Sequence, residues 1–196
     1  MQHPLNIRCY QLKNIGLGCT NFTIAVYIGN KPNMPEYQQL TVISALTSSE
    51  IGAINTACGN GWRKVFNVYA KMLYALDRKN FNYSTFATTW QKYRDCFLLQ
   101  HNSQTALLFS PPHTSTNCNA LHIICGKTYA KHLLATGQLV ANFVWLDDEF
   151  AIDRSRNLIV CPYFDYRQLS NIKIEKLACL LKDLKGSTSS SLLALD

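Results

Sequence analysis

Four apolar runs in this chain each end in a turn made of glycine, proline or small polar residues. The runs span residues 22–29, 106–109, 121–125 and 158–161. Nearly continuous apolarity over a short segment is typical of a strand that helices cover on both faces. Helical patterns alternate with these runs, which predicts an α/β fold: a three-layer α/β/α domain with a mainly parallel sheet of four to five strands. Ligands of open α/β sheets bind beyond the carboxyl ends of the strands, so the four turns outline a predicted site.

The length of the chain indicates one domain. Its 196 residues are enough to bury a core without a stabilising disulfide, and 47% of them are hydrophobic whereas only 16% are charged. We predict a single α/β domain over residues 1–186. The serine-rich end, residues 187–196, is predicted to be a mobile tail.

An excess of basic residues favours partners that carry phosphate. Lys and Arg number 19 against 12 Asp and Glu, which gives a formal net charge of +7. A basic surface concentrates DNA, nucleotides and anionic lipid around a protein. Because the basic residues are scattered, the excess also fits an ordinary solvated surface. The low charge density leaves room for an apolar face, so self-association is a further hypothesis.

The sequence lacks the patterns that are typical of zinc proteins, secreted proteins and membrane proteins. The eight cysteines form no Cys-x-x-Cys pair, and the five histidines form no pair with the spacing of zinc ligands. We therefore predict neither a metal nor a cofactor. The chain also lacks a secretory signal pattern and an apolar run of roughly 18 residues, the length that a membrane span needs. We predict no membrane partner and a cytoplasmic, reducing location.

Capping residues and apolar spacing predict the helices. A capping box over residues 47–50 predicts a helix that begins near Ser48. Three more helices are predicted over residues 62–76, 84–98 and 127–135, with aromatic stripes typical of a core rather than of base-stacking platforms. The last helix is predicted to begin near Ser170, as its N-cap, and to end at Gly186.

Other segments are predicted to be turns or short strands. The glycines of residues 16–18 predict a turn before the first strand. Two prolines, Pro32 and Pro35, argue against a helix immediately after that strand. Residues 142–146 and 157–161 are predicted to be two strands joined by an acidic and basic loop, in the manner of a hairpin.

Two short motifs have a structural and a functional interpretation. Gly126-Lys127-Thr128 looks like the end of a phosphate-binding loop, but Leu121 stands where the full motif needs its first glycine. This excludes a nucleotide triphosphatase and leaves Lys127 as a first-turn residue of a helix. The carboxylates of residues 147–149 could bind a divalent cation. Consecutive side chains point in different directions, however, which favours a loop salt-bridged to Arg154 and Arg156.

Loop residues beyond the strands provide the other candidate groups. His113 is the histidine best placed for acid–base chemistry, although a loop histidine is more often solvated. Tyr163 and Arg167, with the aromatic residues 164 and 166, precede the helix that Ser170 is predicted to cap. They combine stacking faces, a phosphate-binding fork and a helix N-terminus, which suits a nucleotide or single-stranded nucleic acid. Aromatic packing beneath the last helix would explain the same residues.

The four strand ends are also similar, in order, to the motifs of one enzyme family. Gly29-Asn30-Lys31-Pro32 looks like a Gly-x-x-Pro motif, Ser110 ends the second run, and Gly126-Lys127 follows the third. Cys161-Pro162-Tyr163 stands before the final helix, where the family carries His-Pro-Ser. Over residues 22–185 this order resembles the uracil-DNA glycosylase superfamily, whose members bind a flipped base across the strand ends of a four-stranded parallel α/β/α sheet.

The resemblance implies a nucleobase pocket in an uncharacterised bacterial member of that fold. It assigns an N-glycosylase-like role to Asn30, which would orient water, and to His113 or Arg167, which would stabilise the departing anion. The residues that would bind nucleic acid or another ligand are Gly29, Lys31, Pro32, Ser110, Tyr163, Arg167 and Ser170. Two alternatives stay open: a non-enzymatic interaction protein on the same fold, and an unrelated small-molecule enzyme that uses the same crevice.

Overall fold

The structure is a computed structural model that describes residues 14–113 and 119–192. Within these residues one sheet contains eight strands, in the spatial order β3-β1-β4-β2-β5-β8-β7-β6. In chain order they are β1 (Gly16–Gly18), β2 (Ile24–Tyr27), β3 (Ile43–Ser44), β4 (Thr105–Leu108), β5 (Leu121–Cys125), β6 (Val144–Trp145), β7 (Ala151–Asp153) and β8 (Leu158–Cys161).

The helices pack on this sheet. They are α1 (Pro35–Gln38), α2 (Glu50–Cys58), α3 (Asn60–Ala75), α4 (Trp90–Cys96), α5 (Lys127–Ala135) and α6 (Asn171–Leu192). Short 3₁₀ turns lie at Tyr83–Thr85 and Arg154–Arg156. In the described part of the chain, none of the helices combines the length and the hydropathy of a membrane span.

The four predicted apolar runs form the parallel centre of the sheet. β2 lies between β4 and β5, and β8 follows β5, with every one of these neighbours parallel. The predicted α/β class is therefore confirmed. The predicted number of strands, four to five, is wrong because β1, β3, β6 and β7 extend the sheet at both edges. These edge strands have only two or three residues, too few for a periodic sequence pattern.

The strand β1 replaces a predicted turn. It pairs antiparallel with β4, so that Gly16 lies opposite Leu108. A Cβ atom at Gly16 would lie 2.2 Å from the backbone oxygen of Leu107, a distance that no side chain tolerates. The glycine therefore permits close strand pairing here, a use of glycine in strands that is distinct from its use in turns.

Side chains alternate between two cores on the two faces of the sheet. One face, which includes Val26 and Ile123, packs against α2, α3, α4 and α6. The other face, which includes Tyr27 and Ile124, packs against α5 through residues such as Leu133. The domain thus has helices on both sides of a central sheet, with most of them on one side.

Two predicted helix ends differ from the structure. The helix α2 begins at Glu50, two residues after the predicted start near Ser48, although the Glu50 carboxylate accepts a hydrogen bond from the Thr47 N–H at 2.6 Å, as in the predicted capping box. The last helix continues through Gly186 to Leu192, since this glycine does not adopt the left-handed conformation of a C-cap. Mobility of residues 187–196 stays a prediction, and residues 193–196 lie outside the described residues.

Three other segments also differ from their predictions. The predicted helix over residues 84–98 is only α4, preceded by a 3₁₀ turn. A short helix, α1, begins at Pro35 itself, because the first helical position does not need an N–H donor. The predicted hairpin contains an additional strand, β7, which pairs antiparallel with both β6 and β8.

Candidate functional site

A cavity of about 660 Å³ lies beyond the carboxyl ends of β2, β5 and β8. Its walls come from residues 29–30, 125–129, 148–149 and 162–163, together with His132 and Gln168. Small-molecule sites in proteins have volumes of about 300–1,000 Å³, so this cavity has the size of a ligand site. It lies beyond three of the four predicted strand ends, and its wall contains none of the described residues 109–113 that follow β4.

Asn30 and Tyr163 join two of these walls. The Tyr163 hydroxyl donates a hydrogen bond to the Asn30 Oδ1 atom at 3.2 Å, although the residues are 133 positions apart. The loops that follow β2 and β8 therefore meet around one cavity. Burial raises the pKa of Tyr163, so its phenol is neutral at physiological pH. Because Oδ1 accepts from Tyr163, the amide NH₂ group of Asn30 remains available as a donor.

A second tyrosine covers the end of β2. A Cβ atom at Gly29 would lie 3.2 Å from the Cδ2 atom of the Tyr129 ring, closer than most real Cβ contacts. The ring therefore lies directly against the glycine backbone. Burial raises the pKa of Tyr129 as well. Gly29 is thus placed where predicted, and its role is to admit this aromatic wall.

The N-terminus of α5 forms the wall between the two tyrosines. Gly126 has a φ of 99° and donates its N–H to the Cys161 carbonyl oxygen at 2.8 Å, which fixes the start of the helix. The N-cap residue, Gly126, has no side chain with which to cap α5. The next N–H groups have no partner inside the helix and carry partial positive charge. The Lys127 Nζ atom donates to the Asp148 carbonyl oxygen at 2.7 Å and lies 5.0 Å from the centre of the Trp145 ring.

The acidic loop of residues 147–149 forms one rim of the cavity. Lysines of α6 bind it: Lys176 pairs with Asp147, and Lys173 pairs with Glu149 at 2.6 Å. The hydrogen bond from Lys176 lowers the pKa of Asp147 to about 2. The loop is therefore salt-bridged, as the sequence predicts, and it ties the rim to the last helix.

The predicted partners of that loop are wrong. Arg154 and Arg156 lie beyond β7, where Arg156 is 3.5 Å from the Asp153 carboxylate. The lysines were missed because they belong to a helix that begins more than 20 residues later in the chain. Among the described residues, no three His, Cys, Asp or Glu side chains form a group that could hold a metal ion.

Three predicted binding residues stabilise the surrounding loops instead of lining the cavity. The Lys31 Nζ atom donates to the Gln38 carbonyl oxygen at 3.1 Å, and the Gln38 side chain donates to the Pro32 carbonyl oxygen at 2.8 Å. The buried Ser110 hydroxyl accepts a hydrogen bond from the Ile15 N–H at 3.1 Å. These contacts hold the β2 loop against α1 and hold the end of β4 against the segment before β1.

The predicted cluster after β8 is divided among three environments. Only Tyr163 lines the cavity, whereas Phe164 is fully buried and its ring packs edge-on against Tyr69. Tyr166 is exposed, with Lys64 5.0 Å from its ring centre. Aromatic packing thus explains part of this cluster and the cavity explains the rest.

Arg167 and Ser170 have local structural partners. The Arg167 guanidinium donates to the Asp165 Oδ2 atom at 3.1 Å, and Lys64 donates to the same carboxylate at 2.8 Å. The hydrogen bond from Arg167 holds the pKa of Asp165 well below its usual range. The Ser170 carbonyl oxygen accepts from the Ile174 N–H at 2.8 Å at the start of α6.

His113 lies in the segment that follows β4, where partial burial lowers its pKa. The cavity walls include Asn30 but not His113. The two predicted catalytic residues are therefore not placed around the same cavity. His132 of α5 is the histidine at the cavity wall.

Comparison with protein families gives a match over most of the chain. A family model described as "Family of unknown function (DUF6942)" matches residues 15–182. The chain belongs to this family. The matched span contains all eight described strands and every segment of the cavity wall. A search of curated proteins and a search of solved structures found no match.

Sequence reasoning missed two polar or aromatic wall residues of this DUF6942 member, Tyr129 and Gln168. Gly126, before α5, was the available signal for Tyr129. A strand that is followed by a glycine and then by a helix places the first turn of that helix at the strand end. The position of Gln168 had no such signal, since it depends on the path of the loop after β8.

Proposed function

We propose that the cavity binds a nucleobase or a nucleotide. The observation that carries this proposal is the hydrogen bond between Tyr163 and Asn30, because it places an aromatic ring and an oriented amide at the same wall. Tyr129 supplies a second ring close by. Bases are recognised by stacking on such rings and by hydrogen bonds to their edges.

The remaining walls support a small ligand with a polar tail. Lys127 and the first N–H groups of α5 provide positive charge at one side, where a phosphate would be favourable. Asp148 and Glu149 lie beside Lys127, whose Nζ atom is 4.0 Å from the Asp148 carboxylate, and they would repel a long polyanion. The cavity therefore suits a single base or nucleotide better than a duplex.

Binding is better supported than base excision. Asn30, which would orient water, is at the cavity wall, whereas His113 is not. Cys161 is fully buried, and a thiol is a weak donor to a departing anion. We therefore propose binding as the function and leave N-glycosylase-like activity as an outcome of the test.

The first experiment is calorimetric titration with free bases, nucleosides and nucleoside monophosphates. Replacing Tyr163 by alanine removes one stacking face, which costs about 1–3 kcal/mol, and we expect roughly 5- to 150-fold weaker binding. Tyr166→Ala is the matched control, since Tyr166 is an exposed tyrosine three residues away and its ring faces Lys64. Equal loss in both variants, or no binding of any of these compounds to the wild type, would overturn the proposal.

A second experiment addresses catalysis and the alternative functions. Single-stranded oligonucleotides that contain uracil or a damaged base would release free base if the protein is an N-glycosylase-like enzyme, and Asn30→Ala would abolish that release. Binding of bases without release favours an interaction protein on the same fold. Self-association stays a prediction, which the exposed apolar side chains Val144 and Trp145 on the edge strand β6 support.

A further inference from the structure

Two cysteines end neighbouring strands at the floor of the cavity. Cys125 is the last residue of β5 and Cys161 is the last residue of β8, and the two are register partners in the parallel pair. Both side chains face the same core, and neither forms a disulfide in this structure. Neighbouring strands are about 4.8 Å apart, and disulfides join Cα atoms that are about 4.4–6.8 Å apart. The backbone is therefore placed for a bond between these sulfur atoms.

The two thiols belong to the same buried core at the floor of the cavity. The Cys161 thiol donates to the Pro162 carbonyl oxygen at 3.3 Å. Burial, and secondly the neighbouring Cys161 thiol, raises the pKa of Cys125, so this residue is a neutral thiol in the resting protein. Cys125 also lines the cavity, whereas Cys161 lies behind it. Of the two thiols only Cys125 borders the cavity, and because it is 1% exposed, a reagent in the cavity reaches it when the wall opens locally.

We propose that Cys125 and Cys161 form a reversible dithiol–disulfide site that a low-molecular-weight disulfide oxidises through the cavity. The Cys125 thiol first loses its proton to solvent in the cavity, and the resulting thiolate attacks one sulfur of the oxidant, breaks its S–S bond and releases one thiolate. The Cys161 thiolate then attacks the Cys125 sulfur of the mixed disulfide and releases the second thiolate. Two electrons pass to the oxidant, and the two thiol protons end on its two reduced halves.

A disulfide between Cys125 and Cys161 would join two wall segments of the cavity. Gly126 and Pro162 directly follow the two cysteines, and each begins a wall segment. The hydrogen bond from the Gly126 N–H to the Cys161 carbonyl oxygen already links these segments. A disulfide would fix the same two strand ends covalently. The proposal depends on the geometry of the cavity and not on the identity of its ligand.

The test is treatment of the folded, reduced protein with oxidised glutathione, followed by alkylation in denaturant and peptide mapping. We expect a cross-linked peptide pair that contains Cys125 and Cys161, lighter by two hydrogens and restored by dithiothreitol. In Cys161→Ser the second step is impossible, so Cys125 should retain glutathione as a mixed disulfide. Cys179→Ser, which removes an exposed thiol on α6, should leave the cross-link unchanged.

Two outcomes would overturn the proposal. One is full alkylation of Cys125 and Cys161 under conditions that oxidise the exposed residues Cys96 and Cys179. The other is a cross-link from either buried cysteine to a different cysteine. The map of the wild-type protein decides between these results even if Cys161→Ser does not fold. It is also independent of the nucleobase titrations, so either proposal can fail alone.

Discussion

The buried histidine of β5 makes stability depend on pH in a way that can be measured. His122 is 1% exposed, and its Nδ1 atom is 2.8 Å from the Tyr27 hydroxyl. Its Nε2 atom has no hydrogen-bond partner within the described part of the chain. Burial in these surroundings lowers the pKa of His122 to about 4. The folded state therefore holds this imidazole neutral at pH values where an unfolded chain would protonate it.

The size of the effect follows from the two pKa values. The unfolded side chain has a pKa of about 6.5, so between pH 6.5 and pH 4 the unfolded state binds more protons than the folded state. The contribution of neutral His122 to the free energy of unfolding is fully present above pH 6.5. Below that value it falls by about 1.36 kcal/mol for each pH unit inside this window. The loss is about 2 kcal/mol at pH 5 and about 3 kcal/mol once the pH is below 4.

Urea unfolding at pH 7 and pH 5 tests this calculation. The wild-type protein should lose about 2 kcal/mol more than His122→Gln between these pH values, because glutamine does not titrate. His132→Gln, at an exposed position of α5, should keep the wild-type pH dependence. Equal losses of stability in the wild type and His122→Gln would refute this account. An NMR titration of the wild type tests the same point if the variant does not fold: His122 should not protonate above pH 5.

Two further predictions concern residues around the cavity. Gly29→Ala would press a Cβ against the Tyr129 ring at 3.2 Å, so we expect about 1–3 kcal/mol lower stability. Gly52→Ala, where the Cβ would meet open space on α2, should gain about 0.5–1 kcal/mol. Thermal unfolding compares the two variants, and equal shifts of the melting temperature would contradict the close approach at Gly29. Asp165→Asn would leave Lys64, whose side chain is 14% exposed, without its ion-pair partner. We therefore expect urea unfolding to show a free energy of unfolding about 3 kcal/mol lower than that of the wild type. A loss below about 1 kcal/mol would mean that solvent screens this pair.

The sequence predicts the centre of the fold well and its edges poorly. The strand β5 and the helix α5 have the predicted bounds, because glycines at 126 and 137 separate an apolar run from a helical pattern and then end it. The aromatic spacing over residues 84–98 misled the helix prediction. Phe86 lies outside α4 and still places its ring 5.7 Å from that of Phe97. Helical spacing there reflects packing of rings rather than a continuous helix.

The candidate site is predictable in position and only partly in composition. The rule of strand ends brings Asn30 and Tyr163 together, and both are at the cavity wall. It does not reveal that Ser110 turns inwards to bind a neighbouring backbone N–H, or that Arg167 is occupied by Asp165 two residues earlier. Each of these side chains binds a protein group in place of a ligand, and the spacing of residues along the sequence does not show which partner it takes.

The distribution of charge around the cavity favours a small ligand over a nucleic-acid strand. The net charge of +7 favours phosphate partners in general, but Lys173 and Lys176, which face the acidic loop, are paired with its carboxylates. A long strand would have to break these pairs to gain phosphate contacts, and the exposed Asp148 carboxylate would oppose it. In the proposed function a single nucleotide would face only the start of α5 and Lys127, which is 4.0 Å from the Asp148 carboxylate. Its binding should therefore depend only weakly on salt, because few counterions are released.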